Sequence, residues 1–219
     1  MPRALFEKMG NSAYISHLDL MRLFQRAFKR AGLPLTHTQG FNPRPSVSIA
    51  LPLSLGVESH CELLDFDLTG DSVSCEEIKE RLNSALVGGV RVLQVYEGGS
   101  KIKNLSMLDC TINLEYDNGI PADGLRRLSD FFTAQNIVVE KSGKNGTVQQ
   151  DIAPMIYSLN VNACDANIIC LEARIACQNP SLNPIQIVAA IRKYLPDLTP
   201  DYAHFCRQEI YQADGTVFR

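Results

Sequence analysis

Between Arg3 and Pro34 the hydrophobic period of the chain changes once, and that change constrains the fold more than any other feature. Residues 3–15, RALFEKMGNSAYI, alternate loosely and hold Phe6, Tyr14 and Ile15, which favour extended backbone. A strand or short hairpin is expected there, with Gly10 and Asn11 at the bend. From Ser16 the repeat becomes helical, because Leu20, Met21, Phe24, Ala27, Phe28 and Ala31 recur three and four residues apart. Ser16 with Asp19 three residues on is a capping box that uses Asp in place of Glu, and Gly32 and Pro34 stop the helix. On a helical wheel the apolar side chains share one side, and Arg22, Arg26, Lys29 and Arg30 gather on the other.

The same punctuation continues downstream. Residues 47–55 and 58–68 read as strands, Ser74 caps a helix over 75–86 through Ile78, Leu82 and Leu86, and 90–96 reads as a strand. Strand, helix, strand, strand, helix, strand is the order of the split βαβ unit, with every connection short enough for it. Residues 97–105, EGGSKIKNL, have a linker's composition. A second pass follows: strand 108–116, helix 121–135, strand 137–141, strands near 155–162 and 168–177, helix 183–195 and strand 204–212. The expected fold class is therefore α+β, two tandem ferredoxin-like (βαββαβ) units with mainly antiparallel sheets. Residues 1–100 form the first, and residues 106–219 the second with one strand added. The stretch 141–150, KSGKNGTVQQ, is expected to be an exposed, mobile loop.

Charge is unevenly spread. The first fifty residues hold seven Lys or Arg against Glu7 and Asp19, a balance of +5, so the rest of a chain of formal charge −3 carries −8. The overall balance argues against a general nucleic-acid binder, whereas the positive first quarter suits an anionic partner at one face. No apolar run approaches the roughly 18 residues that a membrane span needs. The stretch MPRALFEKMGNSAY lacks a basic, apolar and small-residue leader pattern, so a cytoplasmic location with reduced thiols is expected. The seven cysteines are odd in number and no two are separated by two residues. Cys164, Cys170 and Cys177 stand too far apart for a zinc ribbon or an iron–sulfur motif, so neither metal nor cofactor is expected.

No phosphate loop, dinucleotide fingerprint, nucleophile elbow or zincin motif occurs, and His17, His37, His60 and His204 are far apart in sequence. His17 is placed in the first helical turn, where free N–H groups and the helix dipole favour an anion. It reads three ways: a histidine packed at the sheet rim, an anion contact, or a general acid or base. The segment THTQGFNPRP after the helix joins backbone freedom at Gly40, extended Pro43 and Pro45, and a turn-forming Asn42 to Gln39, Phe41 and Arg44. A loop aromatic beside a guanidinium stacks on a base and clamps a phosphate, unless Phe41 plugs the end of the core. The candidate substrate-binding residues are His17, Arg22, Arg26, Gln39, Phe41, Asn42 and Arg44, folded together into one electropositive recess.

Taken in order, YISHLDLMRLFQRAFKRAGLP, THTQGFNPRP, ALPLSLGVES and ELLDFDLTG closely resemble the radical SAM-linked protein family, densely over residues 4–70. DIAPMIYSLNV at 151–161 is a weaker second anchor. Members of that family are encoded beside, or fused to, a radical S-adenosylmethionine enzyme. The resemblance implies a partnership with such an enzyme as a substrate-handling or positioning module. RNA or a ribosomal component is the implied substrate, because members lie near genes of RNA processing and the ribosome. The chain lacks the tight three-cysteine motif of the radical generator itself. In its expected architecture, with a histidine near the first helix, it also resembles the CRISPR repeat-processing endoribonucleases, although it has no clear glycine-rich C-terminal loop. Three readings stay open: a non-catalytic binding module, a metal-independent RNA-processing or RNA-modifying enzyme using His17, and a structural adaptor whose cationic helix is merely solvated.

Overall fold

Phe6 and Phe24 meet edge to face with ring centroids 4.8 Å apart, and Phe28 meets Phe66 at 4.9 Å. These four rings join the first helix to the first and third strands, and each is wholly shielded from solvent. Burial of such a ring is worth about 1.5–3 kcal/mol, so these contacts anchor the layer on which the basic helix sits. The computed structural model describes residues 1–70, 73–143 and 146–219. The fold is mixed α+β with four α-helices among the described residues and antiparallel strand pairing in every register given below. None of these helices is long and apolar enough to cross a membrane. Two units divide the chain, Met1–Asn104 with Arg219 and Leu105–Phe218.

The first unit runs β1 (Pro2–Lys8), a 3-10 turn at Gly10–Tyr14, α1 (His17–Arg30), β2 (Val47–Ala50), β3 (Val57–Phe66), α2 (Cys75–Ala85) and β4 (Val90–Glu97). Its strands lie in the order β4-β1-β3-β2. Leu5 stands opposite Leu63 in β3 and Gln94 in β4, and Ala50 opposite Leu63. Ala4, Phe6, Leu64 and Phe66 face the helices, meeting Leu20, Phe24, Ala27 and Phe28 of α1 and Ile78 and Leu82 of α2. Helix starts follow their caps. Ser16 Oγ accepts from Asp19 N at 3.2 Å and Ser74 Oγ from Glu77 N at 3.2 Å, satisfying N–H groups that a helix start leaves open. The expected strand over 47–55 stops at Ala50, because Leu51 adopts φ 49°, a left-handed conformation that breaks the ladder.

The second unit runs β5 (Leu105–Glu115), α3 (Gly124–Phe131), β6 (Val138–Gly143), β7 (Gly146–Asp151), β8 (Ile156–Ala163), β9 (Ile168–Ala176), α4 (Ile185–Tyr194) and β10 (Tyr202–Gln212). Four strands lie in the order β10-β5-β9-β8, with Ile112 opposite Leu171 and Phe205. β6 and β7 form a separate hairpin, Val139 opposite Gln150 and Lys141 opposite Val148. The expected mobile loop at 141–150 is thus mostly paired strand, apart from Lys144 and Asn145, which lie outside the described residues. Between α3 and β8 the second unit holds two strands, β6 and β7, where the sequence pattern predicts one. The hairpin is tied at its base, where Lys193 Nζ and Tyr194 Oη both donate to the Val138 carbonyl at 2.8 and 2.9 Å. α3 is shorter than the expected 121–135, starting after Asp123 at φ 58°.

Candidate functional site

Arg22, Arg26 and Arg30 follow one another at four-residue steps, which on an α-helix keeps them within about 80° of arc and about 6 Å apart along the axis. With Ile15, Asp19, Leu23 and Val87 they line a recess of about 450 Å³ on the outer flank of α1. The apolar stripe of α1 fixes this placement. Once Leu20, Phe24, Ala27 and Phe28 are driven inward, the residues half a turn away have only solvent to face.

The three guanidinium groups are held differently. Arg22 Nη1 donates to Asp19 Oδ1 at 2.9 Å, and Asp19 also accepts from the Ser16 hydroxyl at 2.8 Å. The Ser16 bond first, then the Arg22 bond and the nearby charges of Arg22 and Arg26, hold the Asp19 carboxyl below the usual carboxylate range. Arg30 Nη2 donates to the Ala85 carbonyl at 2.6 Å, which steadies the side chain without cancelling its charge. Arg26 is exposed, and no hydrogen bond or ion pair holds it among the described residues. Three cations therefore face one carboxylate, and the middle cation is uncommitted.

The loop after α1 is a small hairpin of its own. Thr36 N donates to the Asp67 carbonyl at 2.9 Å and Ser46 N to the Thr36 carbonyl at 2.8 Å, which pins the base to the end of β3. Thr38 N donates to the Arg44 carbonyl at 2.8 Å, and Arg44 N donates back to the Thr38 hydroxyl at 3.0 Å. Gln39, Phe41, Asn42 and Arg44 consequently project from a tip that turns at Gly40, whose φ of 141° favours glycine. Phe41 is 100% exposed, so it does not plug the core.

His17 stands apart from this group. It occupies the first turn of α1, and thirteen residue steps of about 1.5 Å separate it from Arg30, where the loop departs. On the wheel it also points about 180° from Arg26. The structure therefore brings Arg22 and Arg26 together, groups Gln39, Phe41, Asn42 and Arg44 on one loop, and places His17 at the far end of the helix. The expected single recess is divided by the length of α1 itself.

Sequence reasoning placed Arg30 on the cationic face but left it, with Val87, out of the candidate binding residues, although its four-residue step from Arg26 puts it in the same recess. It also left out a second cavity, about 370 Å³, between the last turns of α1 and the base of the loop. Phe28, Leu33, Leu35 and Pro45 give it apolar walls, and Gln25, Lys29 and His37 supply polar groups. In the second unit a polar recess of about 290 Å³ opens beside Asp109, Thr111, Asn160 and Glu172. There Arg174 grips Asp109 through two bonds of 2.7 and 2.8 Å, and Tyr211 Oη donates to the same carboxylate at 2.9 Å. Those groups are mutually satisfied. Among the described residues no cluster of three or more His, Cys, Asp or Glu is arranged to hold a metal ion.

Comparison with the curated proteins finds no match. Among solved structures, a chain in the crystal structure of a Cbf5-Nop10-Gar1 complex is similar over 97% of this chain and 50% of its own, at 10% identity and a TM-score of 0.49. The chain thus spans about half the length of that relative. An unknown protein from Galdieria sulphuraria is similar over 97% of both chains, at 10% identity and a TM-score of 0.27. Residues 2–184 match the family described as "Uncharacterized protein conserved in bacteria (DUF2344)", and the chain, matched over most of its length, belongs to that family.

Proposed function

We propose that the chain is a non-catalytic binding module that holds single-stranded RNA along α1 for a partner radical S-adenosylmethionine enzyme. The observation that carries the reading is the uncommitted Arg26 between Arg22 and Arg30, in an open recess with a single opposing carboxylate. Charges about 6 Å apart on successive turns can each engage a different phosphate of one strand. Past the carboxyl end of α1, Phe41 offers a stacking face, Arg44 a phosphate clamp, and Gln39 and Asn42 amides for base edges. His17, in the first turn of the helix, does not line the recess. The partnership with a radical enzyme rests on the sequence resemblance over residues 4–70. For the fold, the order β4-β1-β3-β2 supports a ferredoxin-like first unit. The order β10-β5-β9-β8 supports a second, with the β6–β7 hairpin inserted after α3.

Filter binding of a single-stranded RNA across a salt series tests the reading. Log affinity is expected to fall linearly with log salt, by about 0.7 for each phosphate engaged. Arg22→Glu, Arg26→Glu and Arg30→Glu together are expected to flatten the slope by about two units, three contacts at that rate. No retention at low salt, or a slope unmoved by the triple change, removes RNA from α1. Capture by a tagged radical enzyme encoded beside the chain tests the partnership separately, and its failure removes that half alone.

A further inference from the structure

We infer that the cavity between the carboxyl end of α1 and the base of the 37–45 loop is a pocket for one nucleobase of a nucleotide, with Lys29 at its phosphate. The inference deepens the reading of α1 as an RNA platform and rests on it for the choice of ligand.

The walls suit a flat apolar body. Phe28 and Leu33, at 0 and 1% exposure, back the cavity from the core, while the half-buried Leu35 and Pro45 line it with accessible apolar surface. The loop cannot collapse into the space, because Leu35 is bridged to Leu68 and His37 to Pro45 across its base. At about 370 Å³ the volume falls within the roughly 300–1,000 Å³ of small-molecule sites.

The polar groups suit a base more than a plain apolar ligand. Gln25, Lys29 and His37 line the cavity, and none of their side chains has a hydrogen-bond or ion-pair partner among the described residues. An amide offers a donor and an acceptor together, which is what the edge of a base requires, and an imidazole adds one more of either kind. Lys29 lies three residues beyond Arg26, on the neighbouring turn of the same helix, so its ammonium joins the cationic recess to this cavity. A strand following Arg22 and Arg26 thus arrives at Lys29 with a base beside an open apolar slot. Apolar walls, an amide edge and a cation at the mouth together specify a mononucleotide unit.

Calorimetric titration of the full chain with the four ribonucleoside 5′-monophosphates, with adenosine and with inorganic phosphate tests this. At least one monophosphate is expected to bind saturably with one site per chain. Adenosine is expected to bind more weakly than its monophosphate, and inorganic phosphate to give no saturable heat. Leu35→Trp, which fills the cavity, and His37→Ala, which alters only its exposed rim, are each expected to weaken mononucleotide binding by about tenfold or more, the loss of one contact worth about 1.4 kcal/mol. Circular dichroism shows whether Leu35→Trp still folds, and His37→Ala carries the test if it does not. Absence of binding by all four monophosphates, affinity unchanged in His37→Ala and in a folded Leu35→Trp, or phosphate binding as tightly as the nucleotide overturns the pocket. Salt-dependent RNA retention by a chain that binds no mononucleotide overturns the pocket and leaves the helix reading standing. Mononucleotide binding without RNA retention supports the pocket and overturns the helix reading.

Discussion

Arg3 and Asp65 face each other across β1 and β3 through two parallel bonds, Nε to Oδ1 at 2.6 Å and Nη2 to Oδ2 at 3.0 Å, with side chains only 6 and 17% exposed. Arg3 Nη1 also donates to the Ser100 carbonyl at 3.0 Å, so the guanidinium ties the strand start to the segment after β4. Removal of one partner leaves the other charged and dehydrated. Arg3→Ala is expected to cost about 3–5 kcal/mol in urea unfolding, whereas Arg3→Met with Asp65→Leu recovers most of the loss. Equal stability of Arg3→Ala and the parent chain refutes the account.

Gly89 is the point where the connection before β4 closes on the 3-10 turn. Its φ is 82°, and a Cβ there would lie 2.5 Å from the Met9 carbonyl oxygen and 2.8 Å from Ser12 Oγ. Its own carbonyl accepts from Met9 N at 2.7 Å, so neither backbone segment can retreat freely. Gly89→Ala is expected to lose about 1–3 kcal/mol. Gly88→Ala, with open space around its Cβ, is the control and is expected to stay within about 1 kcal/mol of the parent. Thermal midpoints of the two variants side by side decide the matter.

Helices were the more legible part of the sequence. Ser16 and Asp19 announce the start of α1 chemically, and its 3.6-residue repeat is long enough to be unmistakable. Of the β6–β7 hairpin, β6 was legible as the expected strand over 137–141, whereas β7 was not, because KSGKNGTVQQ offers glycines and polar residues with no apolar alternation to report. β2 ended early for a reason no pattern carries, a leucine held at positive φ. In the site, the cationic stripe could be read by counting residues, whereas the exposure of Phe41 depends on hydrogen bonds between Thr38 and Arg44, one of them to the Thr38 hydroxyl, that periodicity does not encode. The separation of His17 from the loop follows from helix length alone and was available to arithmetic.

Asp109 gives the second unit an acid-sensitive joint. Burial works to raise its carboxyl, yet the bonds from Arg174 and Tyr211 and the Arg174 charge outweigh it and hold the group below its usual range. A depressed folded value means that the ionised form stabilises the fold above the ordinary carboxylate pKa of about 3.9, and that this support is lost as pH falls through the folded value. Between about pH 5 and about pH 2 the urea midpoint of Asp109→Asn is therefore expected to fall less than that of the parent chain. Parallel curves for the two proteins would sink the assignment.

The thiols divide by burial. Burial pushes Cys110 up to about 12 and Cys177 up to about 11, so neither forms appreciable thiolate near neutral pH, and both are shielded from reagents. Cys164 is exposed on the turn between β8 and β9. Under native conditions a disulfide reagent is expected to modify Cys164 well before Cys110 or Cys177, with all seven cysteines reacting after denaturation. Peptide mapping after a short exposure reads the order directly, and early labelling of Cys110 contradicts it.

The pairing of Arg22 with Asp19 leaves α1 electrically lopsided. Its first turn pairs one carboxylate with one guanidinium, its middle bears Arg26, and its last turn adds Lys29 and Arg30, so its formal positive charge is concentrated in the carboxyl half. A polyanion lying along such a helix is not indifferent to position. Its lowest energy would lie toward the carboxyl end, so such a surface would favour one position along its length over a uniform hold.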